Sequence, residues 1–280
     1  GDVFLRTKFK NESKFVNGVE IVTTDADAYY LVTTPDEHYE QIRTMLIEGK
    51  HVLCESPIAS SGKECKELFE LAKKQKCVLM EGIKTAYSTA YSRLLLLAKS
   101  GEIGKIVSVD ATCTSMRDDL DSLENKWNSI SAWGPTALLP IFQLLGINYT
   151  DKKIISHYID DDKMFDGFTK IDFIYPDSVA SIKVAKTAKS EGELIITGTK
   201  GYIYVPAPWW KTDYFEIRYE DPTENKRYFY KLDGEGIRYE IVAFNRSIES
   251  GKNYSYIDSK ISIAISEIIE ACKSNNVIEI

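Results

Sequence analysis

Between residues 28 and 99, short apolar runs alternate with amphipathic segments, and this alternation restricts the fold more than any other feature of the chain. Residues 28–33, 52–54 and 77–80 read as strands, rich in the Val, Leu and Tyr that suit extended, buried backbone. Residues 36–49 form a helical pattern with Tyr39, Ile42, Met45 and Leu46 on one face, closed by Gly49. Residues 63–74, with Leu68, Leu71 and Ala72 inward, and 89–99 are two more. Strand–helix alternation predicts a parallel sheet with crossover helices. From Gly101 the pattern changes. Residues 106–112, 154–159, 168–175, 179–185, 193–197, 202–205, 215–219 and 228–232 read as strands joined by short polar turns. That predicts an open, mostly antiparallel sheet. One helix (136–145) is inserted early, and two (236–249 and 259–273) follow the last strand. The expected fold is an α/β domain over residues 1–100 followed by an α+β domain over 101–280.

At the start, residues 2–16 suit an amphipathic helix ending at Asn17-Gly18, with a short strand over 19–22. A doubly wound nucleotide fold begins with a strand and a glycine-rich turn. Here the chain opens on what should be the first helix. Val22 also runs into the next strand with no room for a crossover, although parallel neighbours need about a dozen connecting residues. The expectation is that the real polypeptide carries segments upstream of residue 1 and between Val22 and Ala28.

Hydrophobic content of 44% and charged content of 28% are ordinary for a globular protein. A net charge of −7 leaves no basic excess to neutralise phosphates, which argues against a general nucleic-acid binder. No apolar run approaches the roughly 18–20 residues of a membrane span, and the start has no signal-peptide pattern. Five cysteines (Cys54, Cys65, Cys77, Cys113, Cys272) at unrelated spacings indicate neither a zinc site nor a disulfide framework. Buried free thiols in a reducing cytoplasm are expected. Asp160-Asp161-Asp162 lacks the glycine and spaced ligands of a calcium loop and reads as a solvated turn. No metal is expected.

Four short segments carry a resemblance. They are Thr33-Thr34-Pro35-Asp36-Glu37-His38, Gly49-Lys50-His51-Val52-Leu53-Cys54-Glu55-Ser56-Pro57, Gly101-Glu102-Ile103-Gly104-Lys105 and Gly198-Thr199-Lys200-Gly201. In this order and spacing the chain resembles the glucose–fructose oxidoreductase and inositol dehydrogenase (Gfo/Idh/MocA) family. The resemblance implies a Rossmann-like dinucleotide-binding domain, incomplete here at its start, before the antiparallel-sheet domain. It also implies NAD or NADP as cofactor, a sugar or polyol ligand, and dimerisation through the exposed face of the C-terminal sheet. Thr33, Thr34, Pro35, His38 and Glu55 would lie by the cofactor. The alternating aromatics Phe168, Phe173, Tyr202, Tyr204, Phe215, Tyr219, Tyr228 and Tyr230 would suit the dimer face.

The chemistry implied by the family is interrupted. Hydride transfer from a secondary alcohol needs a group to take the hydroxyl proton. In the family a lysine follows the strand-end glutamate, and an Asp and a His spaced Asp-x-Gly-x-His handle the proton. Ser56 stands at the lysine position, and Ala132 and Thr136 stand at the other two. An unassisted hydroxyl is a poor base and needs an activating partner, and none is visible beside these residues.

Bland readings stand beside the sharp ones. His38 either reports a cofactor turn or caps local backbone. Glu55 is a cofactor neighbour or a solvated strand end. Lys84 is a substitute for the missing lysine, its pKa lowered by burial, or a solvated loop residue. Tyr87 and Tyr91, with Trp133 and Thr136, line a sugar pocket or are packing. The Trp209-Trp210 pair stacks on a sugar, forms an interface, or plugs an edge. Three functions are therefore expected: a family member impaired in family-type hydride transfer that binds a nucleotide or sugar or serves assembly; an active oxidoreductase with rearranged groups, Lys84 among them; or the C-terminal domain of a larger nucleotidyltransferase-type fusion enzyme.

Overall fold

The computed structural model describes residues 13–16, 19–22, 26–116, 127–163, 165–232, 236–274 and 276–280. In chain order the elements are β1 (Ser13–Val16), β2 (Val19–Val22), β3 (Ala28–Leu31), α1 (Pro35–Ile47), β4 (His51–Glu55), α2 (Gly62–Gln75), β5 (Leu79–Gly82), a 3-10 turn (Lys84–Tyr87), α3 (Thr89–Lys99), β6 (Ile106–Thr114) and α4 (Ser129–Leu145). There follow β7 (Asp151–Tyr158), β8 (Asp166–Ile174), β9 (Val179–Ala185), β10 (Leu194–Gly198), β11 (Tyr202–Val205), β12 (Tyr214–Arg218), β13 (Lys226–Phe229), α5 (Ile237–Ser250), α6 (Ser259–Ala271) and β14 (Ile278–Glu279).

The strands β3, β4 and β5 pair in parallel, in that order, as strand–helix alternation predicts. Strand β4 is buried on both faces. Val52 and Cys54 join a core with Ile42, Leu46, Cys65 and Leu68 under α1 and α2, whereas Leu53 faces the large core shared with the rest of the chain. Helix α2 begins where Ser61 accepts a hydrogen bond from the Glu64 N–H, and basic Lys73 and Lys74 sit in its last turn, where the helix dipole favours them.

Nine strands form the second sheet, in the order β13-β12-β11-β10-β6-β9-β8-β7-β14. The pairs β6–β9 and β7–β14 are parallel and the rest antiparallel, a mostly antiparallel sheet as expected. Helix α4 lies on its inner face, with Ala137, Leu138, Leu139, Ile141 and Phe142 at most 3% exposed. Each such large side chain contributes about 1.5–3 kcal/mol by leaving water. Helix α6 packs on both α4 and α2, and the Glu270 carboxylate accepts the Gly62 N–H at 3.2 Å, so α6 bridges the two sheets' helical layers.

Three expectations need correction. The helix expected over 2–16 is, at its described end, strand β1, paired antiparallel with β2. Asn-Gly between two short β-prone runs is a strong hairpin signal, and it outweighs a loose apolar spacing. Helix α4 starts at Ser129 rather than near 136, because Asn128 Oδ1 accepts the Ser131 N–H at 3.0 Å and caps the helix there. The aromatics expected to share the dimer face are split by strand alternation. Phe173 and Phe215 are 1% and 0% exposed in the core, and Tyr219, Tyr228 and Tyr230 pack against that core. Tyr202 and Tyr204 alternate with buried Ile203 and Val205 and so take the opposite face, and Phe168 alternates with buried Thr169.

All five cysteines are unpaired, four of them buried. Among the described residues no helix is long and apolar enough to cross a membrane, and no group of three or more His, Cys, Asp or Glu is placed to hold a metal ion.

Candidate functional site

The carboxyl ends of β3, β4 and β5 make one edge, and the turns that leave them bring the candidate residues together. The turn after β3 holds Thr33 and Thr34, and Pro35 opens α1. His38 is fully buried and ties this turn to the next: Nδ1 lies 2.7 Å from the Pro57 carbonyl and Nε2 lies 3.0 Å from the Thr33 carbonyl. Its ring is therefore occupied by backbone, the capping role, and burial lowers its pKa against the opposing pull of the two carbonyls. The Thr33 hydroxyl donates to Gln41 Oε1 at 2.6 Å, and the Thr34 side chain makes no cap bond.

At the end of β4 the Tyr30 hydroxyl donates to Glu55. Burial raises the Glu55 pKa, while the Tyr30 hydrogen bond and the nearby Lys84 cation pull it back. Lys84, in the 3-10 turn after β5, acts in the same way on Glu240. That turn is pressed against Gly236, where φ is +94° and a Cβ would fall 2.4 Å from the Lys84 carbonyl, so only glycine fits.

Two acids that the sequence reading missed complete the edge. Glu81, the third residue of β5, is 1% exposed, and its Oε1 accepts the Ser56 hydroxyl at 2.5 Å. This corrects the expectation that Ser56 has no partner. Ser262 and the Ile58 backbone also bond the Glu81 carboxyl and lower its pKa, but burial is the larger effect and raises it. Glu240, from α5, is also 1% exposed, and burial and then the charge of Glu55 push it well above the carboxylate range. Its Oε1 would lie 3.1 Å from a Cβ on Gly82, at the very end of β5. Glu81 Oε2 and Glu240 Oε2 are buried and take no hydrogen bond. A strand-end acid in register with Cys54 and beside Glu55 was the available signal for Glu81. Glu240 carried none, since it reaches the edge only through the packing of α5.

Ala132, Trp133 and Thr136 are half-buried on α4, and Ala132 and Thr136 share a face at i, i+4 spacing. The rings of Trp133 and Trp210 lie 4.9 Å apart. Thr85, beside Lys84, donates its hydroxyl to the Trp210 carbonyl at 2.9 Å, which links this pair to the edge. Trp209 is instead fully buried, its Nε1 donating to the Thr112 carbonyl at 3.0 Å. Tyr87 and Tyr91 are 3% and 0% exposed, so both are core side chains rather than cleft lining. Tyr87 stacks on Tyr256 and its hydroxyl meets Ser255; the Tyr91 hydroxyl donates to Gln143.

The residues at this edge fit the nicotinamide end of a dinucleotide: a half-buried glutamate at a strand end, buried polar atoms with unused capacity, and the Thr33-Thr34 turn. The phosphate-binding Gly-x-Gly-x-x-Gly sequence does not occur in the 280 residues.

Residues 4–83 match the family model described as "Oxidoreductase family, NAD-binding Rossmann fold". The chain is 40% identical over 76 residues to scyllo-inositol 2-dehydrogenase (NADP(+)) IolU of Bacillus subtilis, covering 27% of this chain and 23% of that enzyme. It is 24% identical over 257 residues to trans-1,2-dihydrobenzene-1,2-diol dehydrogenase of Oryctolagus cuniculus, covering 88% and 76%. The matches span only 22–29% of the length of the first four curated relatives. Among solved structures, the 3-ketoreductase KijD10 of Actinomadura kijaniata, in complex with NADP and TDP-benzene, superposes with a TM-score of 0.80 at 17% identity, covering 91% of this chain and 80% of that one. Levoglucosan dehydrogenase with NADH and levoglucosan gives 0.76 at 16% identity, covering 88% and 77%.

Proposed function

We propose that the chain, whose residues 4–83 match the NAD-binding fold of the Gfo/Idh/MocA oxidoreductase family, is an NAD(P)-linked oxidoreductase of that family acting on sugar- or polyol-type substrates, in which the proton is handled by a rearranged set of groups. The family-type proton step is absent, because Ser56, Ala132 and Thr136 replace its lysine, aspartate and histidine. The observation that carries the reading is the convergence of Glu55, Glu81, Glu240, Lys84 and Ser56 at the carboxyl edge of β3–β5. Relatives named for scyllo-inositol and levoglucosan, with a 3-ketoreductase seen with TDP-benzene, point the ligand toward sugars and polyols. Glu55 and the Thr33-Thr34 turn would hold the nicotinamide end of the cofactor, which supplies the hydride chemistry when bound. Trp133, Trp210 and Thr136 would line the sugar side.

A second reading is a nucleotide- or sugar-binding or assembly domain without turnover. The occupation of the family's lysine, aspartate and histidine positions by Ser56, Ala132 and Thr136 favours it. Calorimetry of the 280-residue chain with NAD and NADP, together with cofactor absorbance during incubation with inositols and aldoses, separates the two. Turnover supports the first. Binding without turnover supports the second, and no binding of either cofactor overturns the first.

We further propose a homodimer through the outer face of the nine-stranded sheet, which carries Tyr202 and Tyr204 on β11 and, beyond them, Tyr214 of β12 beside Phe229, which is 73% exposed. Arg218 lies over the Tyr204 ring at 4.5 Å from its centroid and would present a charged, aromatic surface to the partner copy.

A further inference from the structure

Ser56 and Glu81 form a hydroxyl–carboxyl pair at this edge that reaches from half-buried to fully buried ground. Ser56 is the first residue beyond β4 and remains half-buried; Glu81 lies in β5 at 1% exposure. The Ser56 hydroxyl points its proton at Glu81 Oε1, 2.5 Å away. Its own lone pairs are left for a donor on the open side. Behind it, Glu81 Oε2 has no hydrogen-bond partner and no contact with water. An orphaned carboxyl oxygen beneath a hydroxyl is costly as architecture, because an unsatisfied buried polar atom costs about 1–3 kcal/mol. It is useful as a place to keep a proton.

We propose that Ser56 is a catalytic residue that exchanges a proton with the substrate hydroxyl, and that Glu81 is the positioning group behind it that stores that proton. The inference rests on the oxidoreductase reading above. In alcohol oxidation the substrate O–H bond breaks and its proton bonds to Ser56 Oγ. The original Ser56 proton passes to Glu81 Oε1, so the carboxylate becomes a neutral carboxyl. The carbon–oxygen double bond forms as the carbinol hydrogen departs with two electrons to an oxidised nicotinamide. In carbonyl reduction each step reverses: Glu81 gives up its proton, Ser56 passes one to the carbonyl oxygen, and the pair ends as hydroxyl and carboxylate. Burial favours the neutral form of Glu81, which equips the pair for the reductive direction.

Burial leads the titration of Glu81, opposed by hydrogen bonds from Ser262 of α6, Ser56 and the Ile58 backbone. The titratable groups that feel its charge are Cys54 from β4, Cys65 from α2, Tyr87 from the 3-10 turn and Glu240 from α5. Lys84 acts on Glu55 and Glu240.

The test uses the whole 280-residue chain, NADP or NAD, and an inositol or aldose that the wild type turns over. Ser56→Ala and Glu81→Gln should each lower kcat about a hundredfold or more, within the range for a lost general acid–base group. KM and the calorimetric cofactor Kd should move less than threefold. Ser56→Thr, which keeps the hydroxyl, should restore most of kcat. The pH limb belonging to the pair should vanish in Glu81→Gln. A readout independent of turnover is the infrared difference spectrum between pH 5 and pH 9. The protonated-carboxyl band of Glu81 should disappear in Glu81→Gln and shift in Ser56→Ala. If the wild type is active and both variants stay within twofold, the relay is wrong and the oxidoreductase reading stands. If the wild type turns over no substrate with either cofactor, both fall together. If Glu81→Gln fails to fold, Ser56→Ala against Ser56→Thr decides: equal kcat in the two overturns the relay.

Discussion

Replacing Asp166 by Asn should make the folded chain more resistant to alkaline pH, and the size of the effect follows from how α4 is anchored. Asp166 opens β8 at 2% exposure. The Ile130 N–H, in the first turn of α4, donates to Oδ1 and Oδ2 at 3.3 and 3.1 Å, and the Thr169 hydroxyl donates to Oδ2 at 2.6 Å. These donors and the helix N-terminus favour a charged carboxylate. Burial opposes them and prevails, so the pKa is pushed up from 3.8 to about 7. Between those values the folded chain holds a proton that the unfolded chain has released. The stability this group contributes is therefore full below its unfolded pKa and is lost as pH rises through about 7. The loss is at most roughly 4 kcal/mol, approached at no more than about 1.4 kcal/mol per pH unit. Asn cannot ionise, keeps an oxygen for the Ile130 N–H, and can donate to the Thr169 hydroxyl, which rotates. Asp166→Asn should thus be within about 1 kcal/mol of wild type at pH 5. By pH 9 it should have gained several kcal/mol relative to it. Urea unfolding at pH 5, 6, 7, 8 and 9, with unchanged m-values, measures this directly. Two stability curves that stay parallel across that range would refute the reasoning, since they would mean that the helix donors keep Asp166 charged throughout.

Other substitutions test separate parts of the structure. Trp209→Ala removes a fully buried ring and orphans the Thr112 carbonyl, so it should cost about 3–5 kcal/mol in urea unfolding, and a loss below 1 kcal/mol would contradict its role as a core plug. Trp210→Ala, half-buried beside Trp133, should instead raise KM for a sugar or polyol several-fold with a small change in Tm. His38→Leu leaves the Thr33 and Pro57 carbonyls without the imidazole and should destabilise by about 2–4 kcal/mol in thermal or urea unfolding. Tyr204→Glu should shift the light-scattering mass at micromolar concentration from dimer to monomer, and a wild type that is already monomeric removes the dimer proposal.

Local chemistry explains which parts of the molecule were legible in the sequence. Strands β9 and β11 fall on the residues their alternation indicates, because strand period and turn residues act over a few positions. The Thr33-to-His38 and Glu55-to-Pro57 turns were legible for the same reason, and His38 bridges them through bonds to the Thr33 and Pro57 carbonyls. Misreadings arose where two local signals competed. Apolar spacing over 2–16 was weighed above the Asn17-Gly18 hairpin pair, and the α4 pattern was started at Thr136 although Asn128 offers a cap. The aromatic residues were counted by strand rather than by face, and Phe215 pairs with Tyr228 on the inner face whereas Tyr214 pairs with Phe229 on the outer. Glu81 was legible only as a strand-end acid, and Glu240 lay beyond such reasoning. Cys54 and Glu81 become partners through the β4–β5 register, and Glu240 arrives from a helix more than 150 residues downstream.

Charge arithmetic at the β3–β5 edge gives the substituted family positions a chemical meaning. Glu240 feels the charges of both Glu55 and Glu81 across buried ground, and the Lys84 cation acts on Glu55 and on Glu240. Burial raises the pKa of all three carboxyls, and the charges of Glu55 and Glu81 raise that of Glu240 further. Burial thus favours the neutral form of Glu81 and of Glu240, whose Oε2 atoms take no hydrogen bond. A lysine in place of Ser56 would bring a cation toward the Glu81 carboxyl and favour its charged form, whereas a serine leaves burial to favour the neutral one. Under the proposed reading, a buried glutamate whose neutral form burial favours stands behind Ser56, the position that the resemblance assigns to a lysine.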